Sequence, residues 1–416
     1  MTTTTHNLRV DGPRLWSTIL ETAAFGATPA GGLNRLTLSP EDGQVRDWFR
    51  DACVAAGLEV GVDALGTQFA LRRGRDLSRP PIACGSHLDT QPTGGRFDGI
   101  LGTLAGLEVM RALNDAGIET EAPLLVVNWT NEEGSRYAPA MMASAAYAGE
   151  FTTEDILGRR DAAGISVGEA LDAIGYRGEE AVGARRIGRF VELHIEQGPI
   201  LEAEGKTIGV VEGGQGIAWF DGTIMGFESH AGTTPMPRRR DALLGLAEIA
   251  LAVEAVAEAH GPSAVATIGE AAIGAPSRNV VPGQVRFTLD LRDPASATLD
   301  AAEAEIRTRI DAIAGRRRLS VALTRIWRKE PVPFDPAVVG AVEAAAGALG
   351  LSHRRMVSGA GHDACNLAAT VPTAMIFVPC RDGVSHNESE SATQGDCTAG
   401  ANVLLHTLLA LANAPA

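Results

Sequence analysis

The stretch that most constrains this chain is Gly85-Ser86-His87-Leu88-Asp89-Thr90, followed by Gly94-Gly95-Arg96-Phe97-Asp98-Gly99. An apolar run, Pro81 to Cys84, leads straight into His87 and predicts a short buried strand with the histidine at its C-terminal end. Open α/β folds place their ligands at that end of the strands. From Gly99 to Ala116 the pattern turns helical, with Leu101, Leu104, Leu107, Val109 and Leu113 as apolar positions. Asp98 then stands at a helix N-terminus, where the macrodipole favours the ionised carboxylate that a metal ligand needs. His87 and Asp98 are thus candidates for two ligands of one metal site.

Three more apolar runs end in the same kind of residue. Pro123 to Trp129 stops at Thr130-Asn131-Glu132-Glu133-Gly134, Phe190 to Ile195 has His194 near its end, and Ala374 to Pro379 leads into Ser385-His386-Asn387-Glu388. A parallel sheet gathers its strand C-termini on one edge, so His87, Asp98, Glu133, His194 and His386 are expected to converge there. Three histidines and two carboxylates suit a pair of divalent ions bridged by Asp98, and the absence of cysteine disfavours a closed structural zinc site. Singly, each piece also reads as something ordinary: a hydrogen-bonded core histidine, or a solvated turn at Glu132-Glu133. Their coincidence is what argues for a site, because burying such a set without an ion is costly. Of the adjacent glutamates, one can ligate while the other takes a proton from water. Asp89 is placed to orient the His87 imidazole, or alternatively to cap a turn.

A length of 416 residues predicts two domains. After residue 212 the character changes. Glu212-Gly213-Gly214-Gln215-Gly216 reads as a hinge. Beyond it come a strand (217–226), a helix (241–260), two strands (264–273 and 284–292), a helix from Ser296 to Ile313 with Ser296 as N-cap, and a strand (319–326). That β-α-β-β-α-β order predicts an inserted ferredoxin-like α+β domain over 213–326. The remainder, 9–212 and 327–416, predicts a split α/β catalytic domain whose central, mostly parallel sheet is flanked by helices. Residues 1–8 are expected to be a frayed tail.

The formal net charge of −15 argues against non-specific nucleic-acid binding. The runs Arg238-Arg239-Arg240 and Arg316-Arg317-Arg318 read as solvated helix ends, the first opening the helix of the inserted domain. Five cysteines, odd in number and without CxxC spacing, fit a reduced cytoplasmic protein. The polar N-terminus is not a signal peptide. No apolar run approaches a membrane span.

Taken in order, GSHLDTQPTGGRFDGILG, NEEGSRY, ELHIEQGPILE, SHAGTTPMPRRRDA, SRNVVPG, DLRD, GAGHDA and GVSHNE resemble the metal-dependent amidohydrolases that act on N-carbamoyl compounds. These include N-carbamoyl-L-amino-acid hydrolase, β-ureidopropionase and allantoate amidohydrolase, a branch of the dinuclear-zinc aminopeptidase and carboxypeptidase group. The resemblance runs from about residue 10 to 412, and ELHIEQGP is the segment that separates this branch from ordinary dinuclear peptidases. It implies two divalent ions per subunit, zinc first, with manganese, cobalt and nickel as alternatives. It implies His87, bridging Asp98, Glu133, His194 and His386 as ligands, and Glu132 as general base. It further implies Gln197 at the ureido end of the substrate, His230 as oxyanion stabiliser, Asn279 and Arg292 as a clamp on the substrate carboxylate, and His362 as a further contact. A homodimer through the inserted domain, which acts as a lid, also follows from it, with some contacts supplied by the partner subunit in several members. The expected reaction is hydrolysis of an N-carbamoyl-L-amino acid to the amino acid, ammonia and carbon dioxide. Allantoate and β-ureido acids are the alternative substrates, and an aminoacylase or dipeptidase, disfavoured by Gln197, comes after them. A metal-binding dimer without activity is the reading from another class, disfavoured by the Glu132-Glu133 pair.

Overall fold

In the computed structural model, which describes residues 7–415, the chain forms two compact units. One comprises the residues up to Gly213 together with those from Pro333 onward; the other is Gly214–Val332. The expected tail lies outside the described residues except for Asn7 and Leu8.

The larger unit is built on a mixed sheet flanked by helices. Its centre is four parallel strands in the order Leu124–Trp129, Ile82–His87, Arg189–Ile195, Thr373–Val378. His87 lies opposite Trp129, and Phe377 opposite His194. Strands Ile82–His87, Leu124–Trp129 and Thr373–Val378 are buried throughout, which is why their sequences read as apolar runs rather than as alternation. Gly85, in the middle of the second, has no alternative: its φ is +146°, and a Cβ there would lie 2.0 Å from the Val127 carbonyl oxygen.

The sheet is less parallel than expected. The hairpin of Glu59–Val62 and Gln68–Arg72 joins antiparallel on one side, and Ile208–Gly214 joins antiparallel on the other. The short connection after residue 62 reverses the chain within the hairpin and imposes antiparallel pairing there. Helix Ile100–Asp115 packs on Ile82–His87 and against Gln394–Ala412. Side chains at the N-termini satisfy otherwise orphaned amides: Ser39 caps Pro40–Ala55, Thr393 caps Gln394–Ala412, and Ser166 with Glu169 forms a capping box on Val167–Ile174. Each such cap is worth about 1 kcal/mol.

The second unit has an antiparallel sheet in the order Ala271–Ile273, Gln284–Asp293, Gly216–Met225, Ser320–Lys329, with Val265–Thr267 also paired to Gln284–Asp293. Residues expected as one strand over 264–273 form these two short pieces. Helices Ala242–Ala259 and Ser296–Arg317 cover one face, where Phe220, Ile224, Ile249, Val285, Leu289 and Ile306 make the core. The glycines read as a hinge are largely inside strands, Gly213 and Gly214 ending one and Gly216 beginning the next. The unit extends to Val332 rather than 326, because Ser320–Lys329 pairs along nearly the whole of Gly216–Met225. Ser296 is not the cap of its helix: Ala295 holds that position, and the Ser296 hydroxyl donates to Glu330.

Candidate metal centre

The three parallel strands that end in candidate ligands bring them to one edge. Asp98 is the pivot. Its Oδ1 is 3.0 Å from His194 Nε2 and 3.6 Å from His87 Nε2. Its Oδ2 is 3.3 Å from His386 Nε2, and that nitrogen is 3.5 Å from Glu133 Oε2. Two ligand groups therefore share Asp98: His87, Asp98 and His194 on one side, Asp98, Glu133 and His386 on the other. The backbone permits this approach because Gly99 follows Asp98 with φ +65°, and a Cβ there would lie 2.2 Å from His87 Nε2.

Hydrogen bonding fixes which ring nitrogen faces inward. His87 Nδ1 donates to the Asp89 backbone carbonyl and His194 Nδ1 to that of Ile195, both at 2.9 Å. His194 Nε2 accepts from the Gly99 amide at 2.9 Å, whereas His87 Nε2, facing Asp98, is buried with no hydrogen-bond partner among the described residues. Lone pairs aimed at a carboxylate require a positive charge between them. Burial opposes ionisation of Asp98, yet His194, His386 and His87 hold its carboxyl well below the usual range. Imidazole nitrogens and carboxylate oxygens in two groups around one shared carboxylate fit a pair of divalent cations.

The two glutamates diverge as adjacent residues can. Glu132 Oε2 lies 3.5 Å from His87 Nε2, while Glu133 turns to His386. Burial, reinforced by Asp363 and Glu133 against the opposing pull of His87, raises the Glu132 carboxyl well above its ordinary value. Burial, followed by Asp98, raises that of Glu133 to about 7.

Three residues outside the expected set support the ligands. Glu390, 5% exposed, accepts from the Phe97 and Asp98 amides at 3.0 and 3.1 Å. Gln91 donates its side-chain amide to Glu133 Oε2 at 2.6 Å and its backbone N–H to Oε1 at 3.1 Å. Glu192 accepts from Ser86 Oγ at 2.5 Å and from the Ala364 amide at 3.0 Å, in a group with His194 and His362. Gln91 and Glu390 lie in irregular loops, where periodicity gives no signal. Glu192, two residues before His194 on the same strand face, was open to a period-two reading.

Asp89 orients His87, but through its backbone carbonyl; its Oδ1 is 3.7 Å from the ring nitrogen, and its Oδ1 and Oδ2 instead accept from the Glu132 and Glu133 amides respectively, at 3.4 Å each. Gln197 directs its amide nitrogen at Asp98 Oδ2, 2.8 Å away, and at Ser385 Oγ at 3.2 Å. Gln197 and His386 both have left-handed backbones, with φ of 57° and 54°. Non-glycine residues held there mark strain of the kind found at functional positions. His362 is buried against His194, ring centroids 4.6 Å apart, with Nε2 3.0 Å from Ser358 Oγ.

Within the inserted unit, His230 is exposed on the short strand Ser229–His230, opposite Val280. Its Nδ1 accepts from the Gly232 and Thr233 amides at 3.0 and 3.2 Å, which leaves the ring proton on Nε2. Asn279 is adjacent, its carbonyl accepting from the Ala231 amide at 2.9 Å. Arg292 is elsewhere. It grips Asp290, Nε to Oδ1 at 2.9 Å and Nη2 to Oδ2 at 2.7 Å, and it lies opposite Ile217. Gln284, on the Asn279 side, is opposite Met225. The eight steps from Gln284 to Arg292 span roughly 26 Å of strand. Asn279 thus borders the two-stranded sheet of Ser229–His230 and Val280–Val281, whereas Arg292 stands in the five-stranded sheet.

A family model described as peptidase family M20/M25/M40 matches residues 83–410. The chain is 48% identical over 403 residues to an N-carbamoyl-L-amino-acid amidohydrolase of Rhizobium meliloti, covering 97% of each. It is 35% identical over 395 residues to an allantoate amidohydrolase of Escherichia coli strain K12, covering 94% of this chain and 95% of that one. Among solved structures, an amidase of the hydantoinase/carbamoylase family from Burkholderia multivorans shares 52% identity at a TM-score of 0.96, over 98% of this chain and 100% of that one.

Proposed function

Because the chain belongs to peptidase family M20/M25/M40, we propose that it is a metal-dependent hydrolase of N-carbamoyl-L-amino acids, releasing the amino acid, ammonia and carbon dioxide. The observation that carries this reading is Asp98, with one oxygen turned to His87 and His194 and the other to His386, beside Glu133.

In this mechanism His87, Asp98 and His194 would hold one divalent cation, and Asp98, Glu133 and His386 would hold a second. Zinc is the first choice, and manganese, cobalt and nickel accept the same donors. When bound, the cations polarise the ureido carbonyl and acidify the attacking water. Glu132 takes that water's proton and delivers it to the departing nitrogen. His230 donates its Nε2 proton to the carbonyl oxygen as that oxygen gains charge, a contribution of about 3 kcal/mol for one such donor. Arg292 binds the substrate carboxylate as a planar fork, which lysine does not reproduce. Gln197 meets the ureido end, and His362 backs the site.

The separation of Arg292 from His230 and Asn279 gives the homodimer a reason. A second copy of the chain supplies His230 and Asn279 to the site whose Arg292 is in cis, and the inserted unit serves as dimerisation and lid domain. Leu243, Leu244 and Leu251 support this, standing 39%, 39% and 66% exposed on helix Ala242–Ala259. Apolar residues left outward in this way suit burial against a partner. Five buried thiols, none in a disulfide, suit a reducing cytoplasm.

The test is kcat/KM of the metal-loaded enzyme for a panel of N-carbamoyl-L-amino acids, N-carbamoyl-β-alanine and allantoate. The first group is expected to exceed the others by about 100-fold or more. Preference for allantoate by such a factor would overturn the substrate assignment while leaving the metal chemistry intact.

A further inference from the structure

The two arginine triplets, read from sequence as solvated helix ends, meet in the fold. The helix begins only at Ala242, capped by Asp241, so Arg238–Arg240 precede it. Arg239 spans the loop after His230: its Nε donates to the Thr234 carbonyl at 3.0 Å and its Nη2 to the Ala231 carbonyl at 2.6 Å. Within that loop the Thr234 amide bonds the His230 carbonyl at 3.1 Å, and the Gly232 and Thr233 amides bond His230 Nδ1. The loop thus dictates the His230 tautomer, and Arg239 closes the loop from its open side.

A second tier stands behind the first. Arg318 follows helix Ser296–Arg317 in a left-handed conformation, φ 60°. Its Nη2 donates to the Pro237 carbonyl at 2.7 Å and reaches the Arg239 carbonyl at 3.4 Å, while its own carbonyl accepts from Arg240 Nε at 2.7 Å. Arg316 and Arg317 are both paired with Glu248 on the other helix. Three guanidinium groups are committed to backbone carbonyls, those of Arg240 and Arg318 across more than 70 residues of sequence. Planar forks of this kind fix two acceptors at once.

We propose that Arg239, held in turn by Arg318, is a positioning residue that sets the orientation and tautomer of His230. The inference rests on the role given to His230 above and extends it to the residues that aim it. A misplacement of about 1 Å in such a group costs on the order of 100-fold in rate, so the brace has a measurable consequence although neither arginine meets substrate.

The experiment is a double-mutant cycle in the dimeric, metal-loaded enzyme. Arg239→Ala is expected to lower kcat by roughly 30-fold with KM within about threefold, and millimolar guanidinium is expected to restore part of the loss. In a His230→Ala background the same substitution is expected to cost less than about twofold, with no guanidinium rescue, because there is no ring left to aim. An equal loss in both backgrounds overturns the inference alone. A His230→Ala variant with undiminished kcat/KM overturns the role of His230 and the inference with it. If Arg239→Ala does not fold, Arg318→Ala enters the same cycle, with a smaller non-additive loss expected and additivity again overturning the proposal.

Discussion

The two units handle polar chemistry in opposite ways. Residues 214–332 contain 14 basic and 14 acidic side chains, whereas the rest of the chain contains 22 and 37, so the whole net charge of −15 belongs to the unit with the metal centre. There His87, His194, Asp98 and Glu132 are at most 7% exposed, and their orientation is locked by carbonyls and by Gln91 and Glu390. In the inserted unit His230 and Asn279 are exposed at the two-stranded sheet, and Arg292 is half-buried in the five-stranded one. A buried group pays its desolvation once and is kept in place by many partners. An exposed group retains freedom and needs a second body, or a brace, to become precise. The first arrangement gathers the candidate ligands inside one unit; the second leaves its polar side chains open to solvent.

The sharpest challenge to this contrast is Glu132→Gln. A general base within a finished centre is expected to cost about 1,000-fold or more in kcat while two metal ions per subunit remain by elemental analysis. Turnover within tenfold of the parent would remove Glu132 from the mechanism. Next is complementation between chains. His230→Ala and Arg292→Ala are each expected to lose about 100-fold in kcat/KM, yet a mixed population should recover up to about a quarter of parental activity, because half of the sites in mixed dimers regain both residues. No recovery would mean that one chain supplies both. Glu390→Gln probes the support of the centre itself. Metal affinity by chelator competition is expected to fall about tenfold, with KM for substrate unchanged; an unchanged affinity would reduce Glu390 to a loop tie. The mildest effect is expected at Asp290→Asn, which loosens the Arg292 fork and should raise KM about threefold at constant kcat. A larger change in kcat would place Arg292 nearer the chemistry than the carboxylate.

Some of this was legible from residue order. Strands buried on both faces read as apolar runs, so their ends were visible, and with them His87, Glu132, Glu133 and His194. Asp98 was visible as a helix-start carboxylate beside a histidine strand. The antiparallel pairing of Ile208–Gly214 with Thr373–Val378 was not, because pairing between distant segments leaves no periodic trace. Ser296 had the composition of a cap but not its place, since one residue of helix extension moved it inside. Among the described residues no helix is long and apolar enough to cross a membrane, in line with the absence of long apolar runs.

Sequence by itself determined the donor types and the strand ends that present them, because backbone direction and side-chain period are local properties of the chain. Only the tertiary structure decided which oxygen of Asp98 faces which histidine, that Asp89 acts through its carbonyl, and that Glu390 reaches back to the amide of Asp98 from 292 residues away. It alone decided that Arg292 and Asn279 belong to different sheets of the inserted unit, and that Arg318 reaches the carbonyls beside Arg239. Those are pairings between distant segments, fixed by strand register and helix packing, and no spacing along the chain encodes them.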